Sequence, residues 1–569
     1  MKKRYSRRQV LQAGGIAAAS VVAGDAYAGF FRQHIFPGIP FRPPGEGAVL
    51  NDIGTPGGLG FGVGVAPARP TGFTLLSSNP ANDNYGNYQY ADGSIMCWVP
   101  AFYYRIGHAD NPTYGDYGVN SVDVLPESAF ADVAAANAAG YALHRAFIDG
   151  GAQKRGFMVD KYKCSKNALG TGYVASSIKN GLPISTHADH NPIADLTACG
   201  GNASYYTVDA AHARDGVNGA VNASSIFFCQ SGSIFAALAL LSLAHAQAAT
   251  ATTYCAWYDA TGVANFPKGC NNNALADVDD TSVKWESDGY SNCGKTGSAG
   301  YGGGAGNLFA KSTHNGQNCG VADVNGLMWQ LSLGVTSAIT VANIEGLSRA
   351  NPCVVTWTGH GLATGAVIQI GPTDIAQAEW TALTGKLYAI TVIDPDHFSL
   401  DGVDTSGFAE EYNPDDPGQI RAGTFYAAKE STAMKDFTSG TAADTDHWGT
   451  TGTTAMMDEI TIPWVTAYPD NGYAQRYGNG ANQVLSGDVS GPGWLLTGLG
   501  IPQSGGASAS GTTLFGQDYF YQYLQNQLFL RSGGYWGTAR NAGPWAAAWS
   551  LGRTHSSNDV GFRCAAYPI

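Results

Sequence analysis

The residues best suited to chemistry in this sequence are the aromatic and small polar side chains of its last segment, residues 531–564. The segment reads RSGGYWGTARNAGPWAAAWSLGRTHSSNDVGFRC and contains a single acidic residue. Tyr and Trp supply rigid contact area, and Ser, Gly and Asn supply adaptable hydrogen bonds, as in antibody loops. Tyr535 and Arg540 are of the types that dominate binding energy at interfaces. The segment therefore predicts a binding surface, with Tyr535 exposed and Trp536 and Trp545 in the core.

Patterns typical of catalytic or metal sites are weaker. The chain contains no G-x-S-x-G, P-loop or H-E-x-x-H motif. The stretch 185–191 holds His187, Asp189 and His190 without a further ligand at a defined spacing, which favours a solvated loop. His360 has no second ligand either, so we expect it to pack in a turn. The acidic stretch 276–289 could hold Ca²⁺ but lacks EF-hand spacing. We therefore expect no cofactor, with Ca²⁺ supported by no specific motif.

The cysteines form no C-x-x-C pair, so neither a zinc ribbon nor a thioredoxin-type site is indicated. The ten residues are Cys97, Cys164, Cys199, Cys229, Cys255, Cys270, Cys293, Cys319, Cys353 and Cys564. An even number fits disulfides in an exported protein, and the same number fits buried free thiols. Cysteine usage therefore leaves the compartment open.

Composition excludes nucleic acid as a partner. The 569 residues carry a net charge of −13, and no basic cluster follows residue 10. Only 13% of the residues are charged, about half the usual share, while 76 are glycine. Such composition is typical of loop-rich extracellular, phage and surface proteins, and the length predicts two or three domains.

The N-terminus, residues 1–28, resembles a twin-arginine export signal. A basic start precedes Ser6-Arg7-Arg8-Gln9-Val10-Leu11, a short apolar run, and small residues that predict cleavage after Ala28. The signal predicts a periplasmic, cell-surface or secreted protein. The alternative is a basic arm of a structural protein that docks on a phage tail within the virion.

The elements that must position the last segment are short. Residues 29–84 are rich in Pro and Gly and predict an extended arm packed on other parts. Short β-type runs follow at Tyr85–Gly107 and Lys154–Ser165. The run Ser233–Ala248 is too short to span a membrane and predicts a buried core helix, so we expect no integral membrane protein.

Three segments resemble landmarks of the formylglycine-generating-enzyme family, also called sulfatase-modifying factors. They are GFMVDKYKCS (156–165), ADVNGLMWQLSLG (322–334) and the ending of the chain at 531–564, in the family's order. The resemblance implies an α+β, C-type-lectin-like fold with long irregular loops over residues 85–335 and 410–569.

The catalytic branch of that family has a copper-binding cysteine pair shortly after its Gly-Gly-Ser turn. Here Gly533 and Gly534 are followed by YWGTARNAGPW, without cysteine. Gln330 also stands where the family commonly has an acid. Copper sites need soft ligands arranged together, so the sequence predicts no enzyme. A divergent oxidase of this type is the alternative.

The ending is similar to another branch, the variable proteins of diversity-generating retroelements. In those proteins, a reverse transcriptase rewrites the C-terminal segment at adenines. The resemblance assigns frame positions to Arg531, Gly533, Gly534, Trp536, Ala542, Gly543, Trp545, Ala546, Gly561, Phe562 and Arg563. It assigns ligand-binding, variable positions to Tyr535, Gly537, Thr538, Arg540, Asn541, Pro544, Ala548, Ser550, Leu551 and His555. It implies a non-enzymatic receptor-binding protein whose partner is a protein or glycan on another cell or host surface, with homo-oligomers as an option that would add avidity.

Residues 336–409 do not belong to that frame. Short runs that alternate apolar and polar residues between Gly turns predict an inserted small all-β module. The stretch from Asn351 to Phe408 resembles a module repeated in phage tail and structural proteins. It supports a second interpretation, a structural or receptor-binding component of a phage tail.

Overall fold

The computed structural model describes residues 49–258, 273–300, 308–371, 377–439, 456–462, 474–477, 482–506 and 518–568, with the single positions 269, 375 and 515. Within them, several β-sheets are combined with a few α-helices in an α+β arrangement. The predicted signal at 1–28 and the first part of the predicted arm, 29–48, lie outside the described residues. Among the helices described, none has the length and apolar character to cross a membrane.

The elements are short, and most strands have six residues or fewer. The helices are α1 (Tyr114–Tyr117), α2 (Val133–Ala138), α3 (Tyr206–His212), α4 (Gly232–Ala248) and α5 (Gly491–Gly498). The strands before α4 are β1 (Phe73–Leu75), β2 (Asn87–Tyr90), β3 (Ile95–Pro100), β4 (Phe102–Ile106), β5 (Val122–Pro126), β6 (Ala142–Leu143), β7 (Ile148–Asp149), β8 (Ala152–Gln153), β9 (Gly156–Asp160), β10 (Cys164–Leu169), β11 (Gly172–Ser177) and β12 (Phe227–Cys229). The strands after α4 are β13 (Trp329–Ser332), β14 (Val335–Asn343), β15 (Gly346–Leu347), β16 (Val354–Thr356), β17 (Val367–Ile370), β18 (Leu387–Asp394), β19 (His397–Leu400), β20 (Gln419–Ala428), β21 (Met457–Ile460), β22 (Ala474–Tyr477), β23 (Gly505–Gly506), β24 (Tyr519–Gln522), β25 (Leu530–Ser532), β26 (Ala547–Trp549), β27 (Val560–Gly561) and β28 (Cys564–Ala566).

Helix α4 is the predicted core helix. Its Ala and Leu residues favour helix, and the Ser231 side chain caps it by accepting a hydrogen bond from the Ile234 amide at 3.2 Å. All but two of its 17 residues are buried. A helix that is apolar on every side must be surrounded by the fold, so the prediction of a buried core helix is confirmed.

A six-stranded sheet, in the order β1-β2-β3-β9-β28-β12, contains the last strand of the chain. Strand β28 pairs with β9 through Ala565 and Val159, and with β12 through Cys564 and Cys229. An interior strand has ladder hydrogen bonds on both sides. Residues 564–566 are therefore fixed between two neighbouring strands.

A seven-stranded sheet, in the order β23-β22-β24-β26-β25-β13-β27, carries the predicted binding segment. Residues 530–561 supply three of its strands. Strand β25 pairs with β13 through Ser532 and Gln330, and β26 lies between β24 and β25. Phe520 and Trp549 are buried in contact with each other, with ring centroids 5.7 Å apart.

Strands β14 to β20 form a further sheet, in the order β14-β20-β17-β18-β19-β16-β15, with β21 added beside β20. We call residues 335–428 the β-module. Its buried cluster is Ile344, Leu347, Cys353, Val355, Trp357, Ile368, Ile370, Ile375, Trp380, Leu383, Tyr388, Ile390, Phe398, Leu400, Tyr412, Ile420 and Ala422. Strand β20 follows residue 409, the predicted end of the inserted module, and pairs with β14 over nine residues. The sheet therefore extends past that boundary.

The described part of the predicted arm, residues 49–84, packs on the rest of the chain. Phe61 and Val63 are fully buried. The Asn315 side chain donates a hydrogen bond to the Phe61 carbonyl at 2.7 Å, and the Gly60 amide donates to the Gln317 side chain at 2.8 Å. Within 48–569 the chain forms one compact unit.

Candidate functional site

The three sequence landmarks, which lie far apart along the chain, meet at Arg563. This side chain is fully buried. Its Nε donates a hydrogen bond to Gln330 Oε1 at 2.5 Å, and its Nη1 donates to the carbonyls of Lys161 at 2.8 Å and Asp160 at 3.1 Å. Its Nη2 donates to the Ala322 carbonyl. Burial lowers the pKa of the Arg563 guanidinium. One planar group with several donors therefore ties the three segments together.

The Gly-Gly turn at 533–534 requires glycine at both positions. Their φ angles are +90° and +87°, which side chains rarely adopt. A Cβ on Gly534 would lie 2.6 Å from the Ala542 Cβ. The Gly533 amide donates a hydrogen bond to the Ala546 carbonyl at 2.7 Å. The turn therefore brings Ala542 and Ala546 back into contact with the two glycines.

The two tryptophans predicted to be anchors are in the core, which confirms that prediction. Trp536 is 7% exposed and packs in a cluster with Trp285 and Met328. Trp545 is 3% exposed, and its ring centroid lies 5.4 Å from that of Phe515. The Trp545 amide donates a hydrogen bond to the Asp518 carboxylate at 3.0 Å.

The predicted variable positions divide by exposure. Arg540 is exposed. The half-buried positions are Tyr535, Gly537, Asn541, Ser550, Leu551 and His555. The buried positions are Thr538, Pro544 and Ala548. The last three therefore present no side chain to a ligand in this chain.

Two of the buried positions have evident structural roles. Thr538 Oγ1 accepts a hydrogen bond from the Tyr535 amide at 3.0 Å and so closes the turn. Ala548 lies in β26, paired with Tyr521 on one side and Arg531 on the other. Replacing Thr538 would disturb the turn as well as the surface, so a test of binding should leave it in place.

An aromatic and cationic stack lies beside the turn. The Arg531 guanidinium carbon is 5.2 Å from the Trp329 ring centroid, and the Tyr535 ring stacks on the Trp329 ring with centroids 6.3 Å apart. Arg531 Nη2 donates a hydrogen bond to Ser550 Oγ at 2.7 Å. Burial lowers the pKa of Arg531 to about 10 and raises that of Tyr535. Tyr535, predicted to be exposed, is therefore half-buried against Trp329.

Two tyrosines next to this stack were not predicted as site residues. Tyr519 and Tyr521 are half-buried on β24, with ring centroids 4.7 Å apart, while Phe520 between them is fully buried. Partners across a ladder share a face, so Tyr521, Ala548 and Arg531 lie on one face of the sheet. We call the half-buried Tyr519, Tyr521 and Tyr535 the outer face; Arg531, on the same face of the sheet as Tyr521, is itself buried. The Tyr-Phe-Tyr pattern of residues 519–521 could have identified them, because alternating residues of a strand point to opposite faces of the sheet.

The acidic stretch at 276–289 meets the binding segment. Arg540 Nε donates to Asp279 Oδ1 at 2.6 Å in an exposed ion pair. Asp277 accepts hydrogen bonds from the amides of Asp279 and Asp280, and Lys311 pairs with Asp280. These carboxylates have partners within the protein, and the prediction that the stretch could hold Ca²⁺ stays a prediction.

The histidines considered as metal ligands have other neighbours. His190 is buried, and its Nε2 lies 2.7 Å from Asp288 Oδ2, whereas His187 is partly exposed beside Asp189. His360 uses both ring nitrogens in its turn, with the Asp394 carbonyl at 3.0 Å and the Leu362 amide at 2.9 Å. The prediction that His360 packs in a turn is confirmed.

No protein-family model matches the chain, and no curated protein matches it in sequence. The geometry of the segment combines a buried frame with exposed or half-buried Tyr, Arg, Asn and Ser side chains, which are groups able to stack and to form hydrogen bonds.

Proposed function

We propose that the chain is a non-enzymatic ligand-binding protein whose C-terminal segment, 531–564, is the binding surface. The observation that carries the proposal is that this segment combines buried frame residues with exposed and half-buried ones. Gly534, Trp536, Trp545 and Arg563 are held inside, while Arg540 is exposed and Tyr535 half-buried beside a second row of tyrosines. Rigid support with Tyr and Arg at the surface is the arrangement of binding loops.

The finer part of the proposal is that the scaffold is C-type-lectin-like, of the formylglycine-generating-enzyme type, and that the segment is diversified by a retroelement. The convergence of all three landmarks on Arg563 supports the scaffold. The Gly-Gly turn and the two buried tryptophans, at the predicted frame positions, support the assignment of the segment. The partner would be a protein or glycan on another cell or host surface.

Binding is tested with the labelled full-length protein on a glycan array and on intact bacterial cells. The variant combines Tyr535→Phe, Arg540→Ala and Asn541→Ala, which keeps the ring packing on Trp329. We expect affinity to fall about thirtyfold or more, because loss of even one hot-spot residue costs at least about 2 kcal/mol, with little change in melting temperature. The matched control, Tyr173→Phe with Arg155→Ala, changes an exposed tyrosine and an exposed arginine elsewhere. Equal loss in the control, or full binding by the variant, would contradict the assignment.

Diversification is tested in the DNA around the gene. We expect a near-copy of the codons for 531–564 that differs at adenines, beside a reverse transcriptase gene. If the locus contains neither, the segment is not diversified by a retroelement, and only the proposal of an unvarying binding surface remains.

A structural component of a phage tail is the second candidate. The observation that favours it is the β-module, which has its own apolar cluster and resembles modules of tail proteins. The mature N-terminus separates the two by mass spectrometry. A start at Gly29 supports export by the twin-arginine pathway, and an intact Met1 supports assembly into a virion.

A further inference from the structure

Two cysteines far apart in the sequence lie side by side in the core. Cys164 Sγ and Cys564 Sγ are 3.7 Å apart across a sequence separation of 400 residues, and both side chains are buried. The Cys164 amide donates a hydrogen bond to the Phe562 carbonyl at 3.0 Å. Strand β28 is held by β9 on one side and β12 on the other. The backbone therefore fixes the two thiols as neighbours.

Cys564 has a second cysteine nearby, and the contacts distinguish the two. Cys229 lies opposite Cys564 in the ladder between β12 and β28, but its thiol donates to the Leu331 carbonyl at 3.5 Å. Cys164 has its sulfur in contact with that of Cys564. A disulfide has an S–S length of about 2.05 Å, so the pair needs an approach of roughly 1.6 Å.

A metal ion is the competing use of the same groups. Asp160 and the two cysteines offer ligand atoms that lie within 4.8 Å of one another. However, Arg214 donates to both oxygens of Asp160, at 2.5 and 2.8 Å, and its Nη2 lies 3.6 Å from Cys164 Sγ. A guanidinium that already neutralises the carboxylate opposes a cation at this position. The surroundings therefore favour covalent pairing of the sulfurs.

We propose that Cys164 and Cys564 form a disulfide that fastens the last strand to the β9–β10 corner. The oxidant is an external disulfide such as oxidised glutathione. One protein thiolate attacks it and releases one thiol, and the second protein thiolate then attacks the mixed disulfide and releases the other. Two protein thiols are oxidised, the external disulfide is reduced to two thiols, and the protein's two protons pass to them.

The exchange takes place while strand β28 docks during folding. Both sulfurs are inaccessible once the strand is in place, and burial raises the pKa of the Cys164 thiol, which suppresses the reactive thiolate. A bond across so long a loop restricts the unfolded chain strongly. It acts on the strand that follows Arg563 and leaves the outer face unchanged, so it stands independently of the proposed ligand.

The test uses the full-length chain, refolded with reduced and oxidised glutathione. Free thiols are alkylated in denaturant, and a non-reducing digest is analysed by mass spectrometry. We expect a peptide pair linking Cys164 to Cys564, lighter by two hydrogens than the reduced pair, with Cys353 alkylated. Alkylation of both thiols in every oxidised sample, or a link from Cys564 to Cys229, would overturn the proposal.

Stability provides the second measurement. A reductant should lower the melting temperature of the oxidised wild-type protein and leave that of Cys164→Ala and Cys564→Ala unchanged. The control is Cys353→Ala, which removes a buried cysteine of the β-module. Its melting temperature should respond to reductant as that of the wild type does. Zn²⁺ bound stoichiometrically by the reduced protein and lost in Cys164→Ala would show a metal site instead. Because the peptide map uses wild-type protein, it decides the question even if the variants do not fold.

Discussion

The C-terminal segment has strands of two or three residues and the β-module has strands of up to ten, and different interactions stabilise them. The β-module buries a cluster of Ile, Leu, Val, Trp and Phe side chains. The C-terminal segment depends on buried charged groups with specific partners, above all Arg563, which donates to backbone carbonyls, and Asp518, which accepts from the Trp545 amide. Apolar cores tolerate exchanges of similar volume, whereas a buried charge is stable only with its hydrogen bonds made. The segment's geometry is therefore more narrowly specified, which is what the proposed diversified binding surface would require.

The largest effect should come from a conservative exchange at the polar anchor. Arg563→Lys keeps the charge but cannot reproduce the contacts with Gln330, Lys161 and Ala322, because an ammonium lacks the planar fork of donors. We expect the free energy of unfolding to fall by about 3–5 kcal/mol, measured by urea denaturation.

The matched exchange in the β-module is Ile368→Val, at a fully buried position. Removing one methylene there should cost about 1 kcal/mol. If the two substitutions cost the same, the contrast between a polar anchor and an apolar cluster would be wrong.

Burial of the apolar elements could be predicted from the sequence, whereas most of the polar contacts of the C-terminal segment could not. The core helix, the anchors Trp536 and Trp545, and the turn role of His360 follow from local pattern, because periodicity and spacing record burial. The half-burial of Tyr535 and the burial of Ala548 do not, since they depend on Trp329 and on strand β24, which come from elsewhere in the chain. The convergence of Arg563 on distant carbonyls likewise has no local signal.

A second effect concerns acid and acts on the core helix α4, which lies outside both regions. His245 on α4 is fully buried, donates to the Tyr254 carbonyl at 2.6 Å, and accepts from the Gly57 amide at 3.0 Å. Burial lowers its pKa to about 4. In the unfolded chain the pKa is about 6.5, so below that pH the unfolded state takes up the proton first. Stability should therefore fall from pH 6.5 to 4, by about 3 kcal/mol for this group.

The measurement is urea denaturation across that pH range for the wild type and His245→Gln. The variant can donate and accept at the same two places but does not titrate, so its pH dependence should be shallower. His108→Gln, at an exposed position, is the control and should follow the wild type. Identical slopes for wild type and His245→Gln would show that the buried histidine does not supply the acid sensitivity.

The smallest effect on stability should come from the exposed pair that joins the segment to the acidic stretch. Arg540 and Asp279 are 55% and 37% exposed, and surface ion pairs contribute about 0–1 kcal/mol. Arg540→Ala, Asp279→Ala and the double variant form a cycle whose coupling free energy of unfolding should stay below about 0.5 kcal/mol and shrink with added salt. Binding to the cells or glycans found with the wild type should nevertheless fall in Arg540→Ala, because the side chain is at the surface. A large coupling with unchanged binding would make Arg540 part of the support and not of the binding surface.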